Sequence, residues 1–201
     1  MITIILAALS LLIFFSLFQK LGKTKNVSCL GLGLKSQISA QLARAAPVVA
    51  RGKDPSHDEM LVRQKFPNFV IEDFLVEAES TFNTVFNAFA MADCDVLKAE
   101  LSTPLYNGFV EQIQKRKDLN LKQEILIKHI RTTLNKVQML VTKAKLFVSF
   151  EVSQMSAILN SENVSFDNPK KIYRNVLHSW IFERKYDSER WILVKTSRVE
   201  I

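Results

Sequence analysis

The side chains that could carry chemistry are few and scattered. There are three histidines, His57, His129 and His178, and two cysteines, Cys29 and Cys94. No pair of them has the short spacing that brings metal ligands together, and with no paired thiol both cysteines are expected to be reduced. The sequence has no phosphate loop, no serine or cysteine nucleophile motif and no His-Glu metal helix. Gly31-Leu32-Gly33 lacks both the third glycine and the preceding strand of a nucleotide loop. His178 shares a strand register with Trp180 and Phe182. A histidine on such an apolar face is more often a hydrogen-bonded core residue than a base. An interior acid–base pair would need a desolvated carboxylate facing a donor. Glu183 and Tyr106 are the candidates, but Glu183 falls on the strand face opposite Trp180 and Phe182. The expectation is a protein without catalytic residues, cofactor or metal. The sequons Asn26-Val27-Ser28 and Asn163-Val164-Ser165 matter only outside a eukaryotic cytoplasm.

Charge is the stronger signal. The chain has 27 Lys and Arg against 20 Asp and Glu, a net charge of +7. Lys20, Lys23, Lys25, Lys35, Arg44, Arg51 and Lys53 all precede the first acid, Asp54, so the chain from Asp54 onward is formally neutral. A specific nucleic-acid binder would carry its cations on the folded domain. Here they flank an apolar run from Ile2 to Phe18 that contains no charge. As a helix that run spans about 25 Å, the short end of what crosses a hydrocarbon core. A cleaved signal peptide would want a positive residue before the run and a small-x-small site just after it. The run instead begins directly at Ile2 and is followed by Phe18-Gln19-Lys20, which favours an uncleaved anchor. The cations then place the N-terminus outside and the rest of the chain on the cytoplasmic side of an inner membrane. They also make the seven residues candidates for contact with anionic headgroups.

Residues 1–21 are thus read as a transmembrane anchor and 22–59 as a basic juxtamembrane linker, with 36–46 either a short amphipathic helix or irregular. Residues 60–201 form one domain whose periodicity changes once. Ile71, Phe74, Leu75, Ala78, Phe82, Val85, Phe86 and Phe89 recur every three or four residues, a broad stripe on a long helix. Asp93 can cap a short helix running to Leu101. Thr103-Pro104 suits the N-cap and first position of a third, which ends in Lys115-Arg116-Lys117. In "KAKLFVSFEVS", Ala144, Leu146, Val148, Phe150 and Val152 alternate with mostly polar neighbours, giving a half-buried strand. "EILIKHIRTTL", "VLHSWIFERKY" and "RWILVKT" read as three more strands, the last two joined at Asp187-Ser188-Glu189. The expected class is α+β, with three helices on a curved, mostly antiparallel four-stranded sheet. If the sheet curls around the long helix, Phe82, Phe89, Phe109, Phe150, Trp180 and Phe182 either fill the space as core or line an apolar pocket.

Two stretches resemble a known family. "FVIEDFLVEAESTFNTVFNAFAMADCDVLKAELSTPLYNGFVEQIQKRK" is similar to the helical opening of the domain shared by mitochondrial inner-membrane translocase subunit 44 and the bacterial TimA-type proteins. The similarity rests on Phe74-Leu75, Ala78, Phe82, Ala88, "VLKAEL", Tyr106 and Phe109. "HSWIFERKYDSERWILVKT" resembles that family's closing hairpin, through Trp180, Phe182-Glu183-Arg184 and Trp191. The resemblance implies a cone-like α+β fold with an apolar pocket, peripheral contact with anionic lipid, and an adaptor role. The import subunit's long N-terminal chaperone-binding region has no counterpart here, so its motor-docking role does not carry over. The expected function is a membrane-tethered adaptor for a membrane-bound polypeptide or its handling machinery. A lipid-binding module and a membrane ribosome receptor are the alternatives.

Overall fold

A computed structural model describes residues 57–165 and 167–200. The anchor expected at 1–21 and the seven cations from Lys20 to Lys53 lie outside the described residues. Among the described residues no helix is long and apolar enough to cross a membrane.

Four helices come first: α1 (His57–Arg63), α2 (Ile71–Met91), α3 (Cys94–Glu100) and α4 (Thr103–Asp118). Four strands follow: β1 (Lys122–Met139), β2 (Lys143–Leu159), β3 (Arg174–Lys185) and β4 (Ile192–Glu200). The α+β class and the helices-then-strands order match the sequence reading, with one helix more than expected. α1 is only seven residues long and has too few turns to show a period.

Local chemistry explains the joints between helices. Val70, the N-cap of α2, makes no side-chain capping bond. Phe69, just before it, packs instead on Phe74 in the second turn with ring centroids 5.8 Å apart, a hydrophobic staple that fixes how the chain enters the helix. α2 ends where Ala92 turns into the left-handed region (φ 58°), and the Asp93 amide donates to the Ala88 carbonyl at 2.8 Å. The Asp93 carboxylate then accepts from the Val96 amide at 3.2 Å and starts α3. The N-cap of α4 is Ser102 rather than Thr103. A bridge between Leu101 and Leu193 and the Ser102 amide bond to the Leu193 carbonyl hold Ser102 extended as the cap, so the helix begins one residue earlier than Thr103-Pro104 suggested.

The sheet order is β1-β2-β3-β4, and every pairing is antiparallel. Each strand pairs only with its neighbours in sequence. β2 keeps its alternation, with Ala144, Leu146, Val148, Phe150 and Val152 all buried. β1 is longer than its readable pattern because irregularities at Ile127/His129 and Leu134/Lys136 shift its register twice.

The stripe on α2 meets the buried face of β2 and β3. Phe82 lies 4.6 Å from Phe150 and 4.8 Å from Trp180, centroid to centroid, while Phe86 stacks on Trp180 at 6.1 Å. Burying each such ring is worth about 1.5–3 kcal/mol relative to leaving it in water.

Candidate binding cleft

The six aromatic residues singled out from sequence are all buried, and the fold brings them into contact. Phe82, Phe150, Trp180 and Phe182 form a continuous cluster, with Phe150 5.1 Å and Phe182 6.1 Å from Trp180. Phe89 and Phe109 pair separately, edge to face at 5.2 Å, and join α2 to α4.

A cleft of about 360 Å³ opens at one end of this cluster, and none of the six lines it. Its walls are the α1–α2 connection, the start of α2 and the β3–β4 hairpin. Phe66, Phe69, Phe74, Tyr186 and Trp191 form an aromatic floor, with Phe66 5.6 Å and Phe74 5.4 Å from Trp191. Phe74 also meets Phe182 edge to face at 5.6 Å and links the cleft to the core cluster. Polar bonds hold the walls in place. Arg63 Nε donates to the Phe69 carbonyl at 2.7 Å, Arg184 Nε donates to the Ser188 carbonyl at 2.8 Å, and the Tyr186 hydroxyl donates to the Leu140 carbonyl. The sequence reading assigned Phe66, Phe69 and Tyr186 no role. The signal available was Phe69 five residues ahead of Phe74, a staple pattern that marks Phe69 but neither Phe66 nor Tyr186.

The residues weighed for chemistry are held by structure. His178 is buried between Phe82 and Phe86, with its Nε2 3.0 Å from the Gln154 Oε1. Burial, reinforced by the nearby Arg198 charge, pushes its pKa down to about 3, so the ring stays neutral. Glu183 is engaged by Lys143 at 3.0 Å and Lys145 at 3.6 Å on the outer side of the sheet. Tyr106 packs half-buried against the core on α4, and no bond joins it to Glu183 among the described residues. Cys94, expected as a reduced thiol, is buried at the start of α3 and disulfide-bonded.

Arg116 departs most from its expected place. Read as one of the three cations that end the helix, it is 3% exposed. Its guanidinium sits 4.4 Å over the Phe89 ring and donates to the Phe89 carbonyl and the Gln123 side chain. Burial lowers its pKa to about 10, still charged at neutral pH.

The helices, the four-stranded meander and the closing Trp hairpin together define a small α+β domain. Residues 61–198 match the Tim44-like domain, and the chain belongs to that family. The intermembrane space region of the chloroplast protein ARC6 is a similar solved structure, 10% identical with a TM-score of 0.46, covering 63% of this chain and 97% of that one. A de novo designed β-sheet protein is 10% identical with a TM-score of 0.31, covering 65% of this chain and 90% of that one. No curated protein matches.

Proposed function

We propose that this protein is a membrane-tethered, non-catalytic adaptor whose Tim44-like domain binds a polypeptide beside the bilayer. Family membership supports a scaffold role associated with translocation. The observation that carries the reading is the cleft: an aromatic floor with a charged rim, between the start of α2 and the β3–β4 hairpin. Aromatic floors with polar rims are the usual anatomy of protein-binding hot spots. Residues 2–18 would supply the anchor, and the seven linker cations would lie among anionic headgroups, attracted by about 1 kcal/mol each near the surface. The same cations would orient the domain to the cytoplasmic face of an inner membrane. Burial of the six aromatic residues, none of which lines the cleft, supports a core role for them.

The test is photocrosslinking in living cells from position 68, where Asn68 is exposed on the cleft rim. The expected product is an adduct with a membrane-bound polypeptide or the machinery that handles it. Adducts only with lipid would make this a lipid-binding module. Adducts only with ribosomal proteins, lost at high salt, would make it a ribosome receptor. No adduct at all would overturn the adaptor reading.

A further inference from the structure

Carboxylates line the cleft from two elements. Asp73 and Glu77 stand one helical turn apart on α2, and Glu189 comes from the β3–β4 hairpin. All three are exposed, and none is held in an ion pair or hydrogen bond among the described residues. The helix dipole favours Asp73 in the first turn, but its reach ends before Glu77, a like charge one turn on. The rings of Phe66, Phe69, Phe74 and Trp191 beside them are buried.

The floor already draws cations. Lys65 Nζ sits 5.3 Å over the Tyr186 ring, and the Arg184 guanidinium sits 4.3 Å over the Phe66 ring. Neither is paired with the three carboxylates, and Arg184 is engaged with the Ser188 carbonyl. An incoming Lys or Arg side chain has an apolar stem and a charged head. The stem suits the rings, and the head suits the carboxylates, by cation–π attraction and charge-assisted hydrogen bonds. An acidic side chain would meet like charges, and a purely apolar one would strip water from them. At about 360 Å³ the cleft is small for a ligand site, so it takes side chains of an extended segment rather than a folded surface.

We propose that the cleft recognises its polypeptide by a Lys or Arg side chain next to an apolar residue, with the charged head among Asp73, Glu77 and Glu189. This rests on the adaptor reading and adds the chemistry of the segment that is bound. It runs against the field of the whole chain. With a net charge of +7, long-range attraction alone would favour an acidic segment. A preference for cations therefore has to come from the cleft.

Fluorescence anisotropy with the full chain in phosphatidylcholine nanodiscs tests this, with empty nanodiscs as the background. The probes are short dye-labelled peptides of Ser, Gly and Leu, identical except for Arg, citrulline or Glu beside the Leu. Citrulline keeps the shape of Arg without its charge. The Arg peptide should bind roughly fivefold or more tightly than the citrulline peptide, and the ratio should shrink at high salt. The Glu peptide should bind most weakly. In the variant Asp73→Asn/Glu77→Gln/Glu189→Gln the ratio should fall to near one while the citrulline peptide still binds. In Asp73→Lys/Glu77→Lys the Glu peptide should bind best, a reversal that unfolding cannot produce. Equal binding of the Arg and citrulline peptides overturns the proposal and leaves the adaptor reading standing. An Arg preference that survives loss of the three carboxylates also overturns it, as does a failure of every peptide to bind. An intact Arg preference in a protein that gives no partner adducts in cells would overturn the adaptor reading alone.

Discussion

His178 shows how burial sets one residue's chemistry. With a folded-state pKa near 3, below the ordinary 6.5, the ring stays neutral in the fold while the unfolded chain takes up a proton near pH 6.5. The stability this site allows is complete above pH 6.5 and falls as pH drops toward 3, because the unfolded state then binds the extra proton. At pH 4.5 the loss is about 2–3 kcal/mol. The groups facing the ring are Gln154, Phe82, Phe86 and Arg198, none of them a carboxylate that would favour the charged form. Urea titrations at pH 7 and 4.5 should show this loss for the native chain, and a clearly smaller one for His178→Phe. An equal loss in both would move the acid sensitivity elsewhere. Alternation alone put His178 inside. Nothing local put Arg116 there, because its burial depends on Phe89 and Gln123, contributed by α2 and β1. A basic run at a helix end looks the same whether one of its members turns inward or not.

At the scale of elements, chemistry confined to a few residues was readable and chemistry between elements was not. Asp93 as the cap of α3 is visible from its position, and the bond to the Val96 amide is present. Asp93→Ala should cost about 1 kcal/mol. This would appear as a lowered urea midpoint with an unchanged slope, and an unchanged midpoint would show the cap to be dispensable. The α2 stripe and the β2 alternation were legible because each keeps one period over its length. β1 was only half legible, since two register shifts break its alternation into short pieces. The start of α4 moved by one residue because β4 holds Ser102 extended, a contact made by Leu193, 91 residues further on. The cleft was missed for the same reason. Its floor combines Phe66 and Phe69 from one connection with Tyr186 and Trp191 from another.

For the whole molecule, the side of the membrane is the question that Cys94 can answer. Disulfides persist in oxidising compartments and are reduced in the cytoplasm. The disulfide at Cys94 predicts that, in protein denatured in acid straight from cells, this residue resists a maleimide until a reductant is added. Immediate reaction would show that the bond does not form in the cell and would fit a cytoplasmic domain. Resistance until reductant is supplied would place the domain on the oxidising side and reverse the orientation set by the linker cations. The family is legible in the order of motifs across 61–198.

The helices-then-strands order has a consequence during synthesis. Phe82 and Phe86 on α2 are covered by Phe150 and Trp180, and those rings lie 68 and 98 residues downstream of Phe82. At about 5–20 residues per second, a newborn chain holds α2 with its greasy side bare for roughly 5–20 s before Trp180 is made. A ribosome working at a bilayer would keep that exposed helix close to lipid and away from other unfinished chains.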